Sequence, residues 1–207
     1  MKKIFYSLLA IGIMIGISGC NNNMDEGEKT SEETVSQNEN ENVQETSEQT
    51  EHKLPDLESE KTVDMMIEGT TEKKVVKLHH HTELGFSTYV PDDMVVESNP
   101  EVFNVFTNYG GNKNEDATLK ITRQSEEELT KILTDQGFQL EEQDMKAFDF
   151  SEKEFSLQKE GFIGRIAFFK HADENYALYY YYPEEFADGF GPRSDIIVKE
   201  IVWHDEQ

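Results

Sequence analysis

Phe162-Ile163-Gly164-Arg165-Ile166-Ala167-Phe168-Phe169-Lys170 and Tyr176-Ala177-Leu178-Tyr179-Tyr180-Tyr181-Tyr182 are the stretches on which the fold turns. A strand sends successive side chains to opposite faces. In the first stretch Phe162, Ile166 and Phe168 therefore point one way, and Ile163, Ala167 and Phe169 the other. In the second, Tyr180 and Tyr182 share a face opposite Tyr179 and Tyr181. A sheet that is apolar on both faces must be covered on both.

Outward from these strands, residues 154–159 read as a third, with turns at Glu160-Gly161 and at residues 171–175. Upstream, residues 73–81, 85–90, 94–98 and 101–109 read as strands, the second ended by the turn chemistry of Pro91-Asp92-Asp93. Residues 110–114 read as a loop, and Ala117, Leu119 and Ile121 then alternate with Thr118, Lys120 and Thr122, as in a half-buried strand. Ser125-Glu126-Glu127-Glu128 is a capping box that opens a helix carrying Leu129, Ile132 and Leu133 and ending at Gly137. A second helix, opened by Pro192, carries Ile196, Ile197 and Ile201, and residues 202–204 either extend it or add a strand. The expected fold class is α+β, a mainly antiparallel sheet covered by helices on both faces. Leu84-Gly85-Phe86-Ser87-Thr88-Tyr89-Val90-Pro91 is similar to the early strand of PsbP/Mog1-like proteins, where a Gly-aromatic strand ends in proline. Asp92-Asp93 departs from the apolar continuation of that family. The resemblance implies an α+β sandwich and, since fold does not imply function, no activity.

The N-terminus speaks of location. Met1-Lys2-Lys3 precedes an uncharged apolar run over residues 4–19, as in a secretory signal peptide. A membrane-spanning helix needs about 20 predominantly apolar residues. This run is shorter, interrupted by glycine and followed by Asn21-Asn22-Asn23. Its end, Ile17-Ser18-Gly19-Cys20, resembles the lipobox of bacterial lipoproteins. That resemblance implies a signal peptide over residues 1–19, cleavage between Gly19 and Cys20, and a covalent diacylglycerol on the Cys20 thiol. Two or more acyl chains then give stable anchoring, because burial is worth about 0.8 kcal/mol per CH₂ and one chain binds only marginally.

Cys20 is the sole cysteine, so the chain forms no internal disulfide and no multi-cysteine metal or redox motif. Residues 20–62 read as a lipidated, disordered acidic linker. Between residues 21 and 62 there is no aromatic residue, and 13 Asp and Glu face only Lys29, Lys53 and Lys61, a net charge of −10. Residues 63–207 are the expected globular domain. The whole chain carries 43 acidic against 19 basic residues. That balance excludes nucleic-acid binding, which needs clustered Lys and Arg, and repels anionic lipid head groups.

Candidate chemistry is sparse. His79-His80-His81 places His79 and His81 on one face of a strand as candidate ligands for zinc, copper or nickel, with Glu83, His171 or His204 as a third donor. A solvated polar strand end accounts for the same residues. Asn112, Asn114 and Asp116 suggest calcium, but Ala117 and Arg123 stand where an EF-hand needs glycine and glutamate. Tyr180 and Tyr182 form either a half-wet stacking platform for a sugar or peptide, or sheet core. Arg193, after the glycine-rich residues 188–192, is a candidate anion contact at a helix start. No G-x-S-x-G, H-E-x-x-H, P-loop or catalytic cysteine occurs, and no catalytic residue is assigned. The expectation is a lipoprotein on the outer face of the cytoplasmic membrane of a Gram-positive bacterium, binding an envelope protein or cell-wall component without catalysis. The alternative is metal or solute binding near His79 and His81.

Overall fold

The computed structural model describes residues 54–206, so the expected signal peptide, the lipobox and the linker as far as residue 53 lie outside the described residues. The described chain runs β1 (Glu60–Ile67), β2 (Thr70–His81), β3 (Phe86–Pro91), β4 (Met94–Val96), β5 (Val102–Tyr109), β6 (Asn112–Thr122), α1 (Glu126–Asp135), β7 (Gln139–Glu142), β8 (Lys153–Lys159), β9 (Phe162–His171), β10 (Glu174–Pro183), α2 (Ala187–Lys199) and β11 (Val202–Trp203). Short 3₁₀ turns cover Glu184–Phe186 and His204–Glu206. The strands form a seven-stranded sheet, β4-β5-β6-β10-β9-β8-β7, and a four-stranded sheet, β1-β2-β3-β11. Every pairing is antiparallel.

Tight hairpins set the registers. Glu68-Gly69, Gly110-Gly111 and Ala172-Asp173 each supply two consecutive residues at positive φ. Two-residue turns of that kind match the right-handed twist of the strands they join.

Side chains alternate along β9 and β10 as the sequence pattern requires. Leu157, Ile166, Ala177 and Tyr179 pack with Leu129 and Leu133 of α1. Phe169, Tyr176 and Leu178 instead join Phe86 and Val90 of β3, Phe103 and Val105 of β5, and Phe190 and Ile197 of α2. Helix α1 begins at the full capping box of Ser125 and Glu128. It ends with Phe138 N–H donating to Leu133 O at 3.0 Å and Gly137 N–H to Thr134 O at 2.9 Å, the paired bonds of a glycine C-cap.

The large sheet is not covered by helices on both faces, as the expected α+β sandwich requires. The described residues contain two α-helices only, and strands dominate. Helix α1 covers one face, while the other is closed by the small sheet together with α2. The reason is area: β10, β9, β6 and β5 all present large apolar side chains to that second face, more than one helix can cover. Strand β3, buried at all six positions, supplies the remainder.

Two further local expectations change, and one left open is decided. Strand β1 begins at Glu60, within the segment read as linker. Helix α2 starts at Ala187 and holds Pro192 in its interior, so Pro192 does not open it. Residues 202–203 add a strand, pairing with Ser87 and Phe86 of β3.

Strands β9 and β10 leave no room for a side chain at Gly164. A Cβ there would overlap the Tyr180 carbonyl oxygen and lie 2.9 Å from Tyr181 Cα. Gly164→Ala is expected to lower the unfolding free energy by about 2–3 kcal/mol. Urea unfolding followed by the emission of Trp203, the sole tryptophan, reads the change.

Candidate functional site

The residues singled out from the sequence do not converge. His79 and His81 lie in the small sheet, paired with Thr88 and Phe86 of β3. Tyr180 and Tyr182 lie on the central strand of the large sheet, and Arg193 on α2.

Both ring nitrogens of His81 are engaged. Nδ1 accepts from Leu84 N–H at 3.1 Å, which leaves Nε2–H to donate to Asn99 O at 2.8 Å. The ring is 4 % exposed and stacks on Phe86 at 5.9 Å. A neutral imidazole used in this way has no lone pair left for a metal. Burial, and then the positive charges of His80 and Lys77, lower the pKa of half-buried His79. Glu83 Oε2 is 3.7 Å from His81 Nδ1. Among the described residues, no group of three His, Cys, Asp or Glu is placed to hold a metal ion.

His80 and His204 are joined through a serine. Ser87 Oγ lies 2.7 Å from His80 Nδ1 and 2.8 Å from His204 Nε2. A hydroxyl that donates to one imidazole and accepts from the other ties β2, β3 and the C-terminal turn together. Ser87 is fully buried, so this serine–histidine contact is out of reach of a substrate.

Tyr180 and Tyr182 stack on one another at 6.1 Å, and Phe190 of α2 lies 4.7 Å from the Tyr182 ring. Burial pushes the Tyr180 hydroxyl up to about 12 and raises that of Tyr182. The pair is half-buried and packs against the core beside Phe190 of α2. Arg193 grips Asp93, with Nη2 2.6 Å and Nε 3.1 Å from Oδ2, and its Nη1 donates to Gly189 O at 2.7 Å. Lys74 reaches the same carboxylate at 2.7 Å. Burial alone would raise the Asp93 pKa, but the hydrogen bonds from Arg193 and Lys74 outweigh it and hold it low. The guanidinium expected to receive an external anion thus holds an internal one.

Two concave regions stand out instead. One, of about 270 Å³, opens where Arg123, the β9–β10 turn and β11 meet. His171 lies flat on Trp203 at 4.0 Å and reaches Asp205 Oδ1 at 2.7 Å. Across it, Arg123 Nη2 donates to the Tyr176 hydroxyl at 3.0 Å, and that hydroxyl donates to Leu84 O at 2.9 Å. The sequence named His171 only as a spare metal donor; nothing local in it brings residues 123, 176, 203 and 205 together. The second region, of about 530 Å³, runs between the outer edge of β1 and one side of α2.

Among the described residues one carboxylate is wholly buried. Glu154 accepts from Ala147 N–H at 3.0 Å, Phe148 N–H at 2.9 Å, Ser151 Oγ at 2.7 Å and Arg165 Nη1 at 2.6 Å. Its desolvation would raise the pKa, but these four donors together lower it. The group stays ionised and clamps the 147–151 segment onto the large sheet.

Neither a scan against protein-family models nor a search of the curated proteins returns a match for this chain.

Two sets of variants test these assignments. His81→Ala is expected to cost about 2–3 kcal/mol of stability in chelator-containing buffer, and His79→Ala less than about 1 kcal/mol. Equal costs that appear only when metal is present would point to ligation. Glu154→Gln is expected to cost about 3 kcal/mol at neutral pH, because Arg165 loses its buried partner. A lowered folded pKa stabilises fully above the ordinary glutamate value of 4.5, and that contribution is lost as pH falls through the folded value. The gap between the wild type and Glu154→Gln in urea unfolding should therefore shrink on acidification below that point.

Proposed function

We propose that the chain is a lipoprotein held on the outer face of a Gram-positive cytoplasmic membrane by diacylglycerol on Cys20. Its β-rich head serves as a non-enzymatic binding or accessory module for an envelope protein or cell-wall component. The observation that carries the anchor is Ile17-Ser18-Gly19-Cys20 standing directly after a charged start and an apolar run. Among the described residues no helix is long and apolar enough to cross a membrane, and residues 1–20 lie outside them.

The charge distribution supports a head held away from the bilayer. Residues 21–62 carry a net charge of −10 and residues 63–207 a further −16, so anionic head groups repel both. His81, Glu154 and Arg193 are each committed to neighbours within the fold.

Metabolic labelling with a clickable fatty acid tests the anchor. The wild-type chain is expected to carry label, fractionate with membranes and lack residues 1–19. Cys20→Ala is expected to carry none and to keep them. Label persisting on Cys20→Ala would refute the reading.

A further inference from the structure

The four outer strands of the two sheets are unequal. Strands β4, β7 and β11 have three, four and two residues, whereas β1 has eight. Short outer strands are one of the usual ways of keeping a sheet edge from pairing with another chain. Strand β1 is left long, and among the described residues it pairs with β2 alone.

The register shows which backbone groups it offers. Leu78 N–H donates to Ser59 O at 2.9 Å, which makes residues 59 and 78 a hydrogen-bonded pair. In an antiparallel ladder such pairs recur at every second residue. Lys61, Val63, Met65 and Ile67 therefore spend their backbone groups on β2. Glu60, Thr62, Asp64 and Met66 direct theirs away from the sheet.

Beside this edge runs α2. Pro192, Asp195, Ile196 and Lys199 recur at helical spacing along one side of it, and with residues 63–66 of β1 they line the groove of about 530 Å³. A sheet edge flanked by a helix can hold an extended peptide, with main-chain bonds on one side and side-chain contacts on the other. Apolar contact is available at Met66, which is 66 % exposed. The lining carries three carboxylates, Asp64, Asp195 and Glu200, against Lys199. Each of the three is met by a lysine, Asp64 by Lys73, Glu200 by Lys61 and Asp195 by Lys199 at 3.9 Å, but the Asp64 and Asp195 side chains remain 60 % and 61 % exposed, on a head of net charge −16.

We propose that the groove between the open edge of β1 and α2 binds an extended, basic peptide segment of a partner protein as an added antiparallel or parallel strand. The proposal deepens the binding-module reading by naming the partner's chemistry and the place where it docks. A second copy of this chain is a poor occupant, since two heads of this charge repel one another.

Fluorescence anisotropy with the full chain tests it, using a labelled decapeptide of alternating Lys and Val. Binding is expected. It should weaken at least about ten-fold when alternate peptide nitrogens are methylated, because those donors make the added ladder. A Glu-Val decapeptide should bind at least about ten-fold more weakly. Thr62→Pro removes an outward N–H without touching a bond to β2 and puts its ring in the path of an added strand, so it should weaken binding by a similar factor. Affinity unchanged by peptide methylation, measured on the unaltered protein, would overturn the proposal whatever Thr62→Pro does to folding. Equal binding of the Glu-Val peptide, or self-association of the chain through this edge, would also overturn it. The assay needs no membrane, so its failure leaves the Cys20 anchor standing, and loss of lipid labelling leaves the groove standing.

Discussion

Burial on both faces of β9 and β10 is the constraint from which the rest of the head follows. Ile166, Ala177 and Tyr179 on one face and Phe169, Tyr176 and Leu178 on the other are all nearly or wholly removed from water. At about 25 cal/mol per Å² of apolar surface, neither face can be left open in a chain with no disulfide to assist it. Helix α1 answers the first face. The second is wider, because β5 and β6 extend it with Phe103, Val105, Leu119 and Ile121, and a second sheet with α2 wedged beside it is the cover.

That arrangement decides the fate of the polar side chains as well. Folding also buries His81, Ser87, Glu154 and His204, and a buried polar group is costly unless it is hydrogen-bonded. His81 is held by Leu84 and Asn99, Ser87 by two imidazoles, and Glu154 by four donors. Groups that look reactive in the sequence act here as internal fastenings. The surfaces left for partners are those at the margins of the sheets.

The legible parts of the fold were those with a local signal. Alternation along residues 162–170 and 176–182 marks the two-faced strands, and Ser125 with Glu128 marks the start of α1. The β1–β2 hairpin was less legible because its turn is Glu68-Gly69 rather than Asn-Gly, and its strands carry Glu60, Lys61, Asp64, Glu72, Lys73 and Lys74 among few apolar residues. Among the described residues, Ile196 of α2 and Tyr89 of β3 join Met65 and Val76 in the cluster that gives that hairpin its apolar contacts. The expected helical cover failed for a different reason: β2 and β3 have local strand signals, but nothing local marks them as a second sheet, and it is that sheet which lies over the second face. Site residues were hardest to read. Whether Tyr180 and Tyr182 are open or covered depends on Phe190, and whether Arg193 is available depends on Asp93, a hundred residues away.

The functional account rests on an edge of β1 that is formed, ordered and open. Residue-resolved amide hydrogen exchange on the unliganded full chain tests that claim most directly. The predicted result is an alternation along β1, with Lys61, Val63 and Met65 exchanging slowly and Thr62, Asp64 and Met66 quickly, while β10 is slow throughout. Uniform protection along β1 would mean that the edge is already covered, and uniformly fast exchange that the strand does not persist; either contradicts the account.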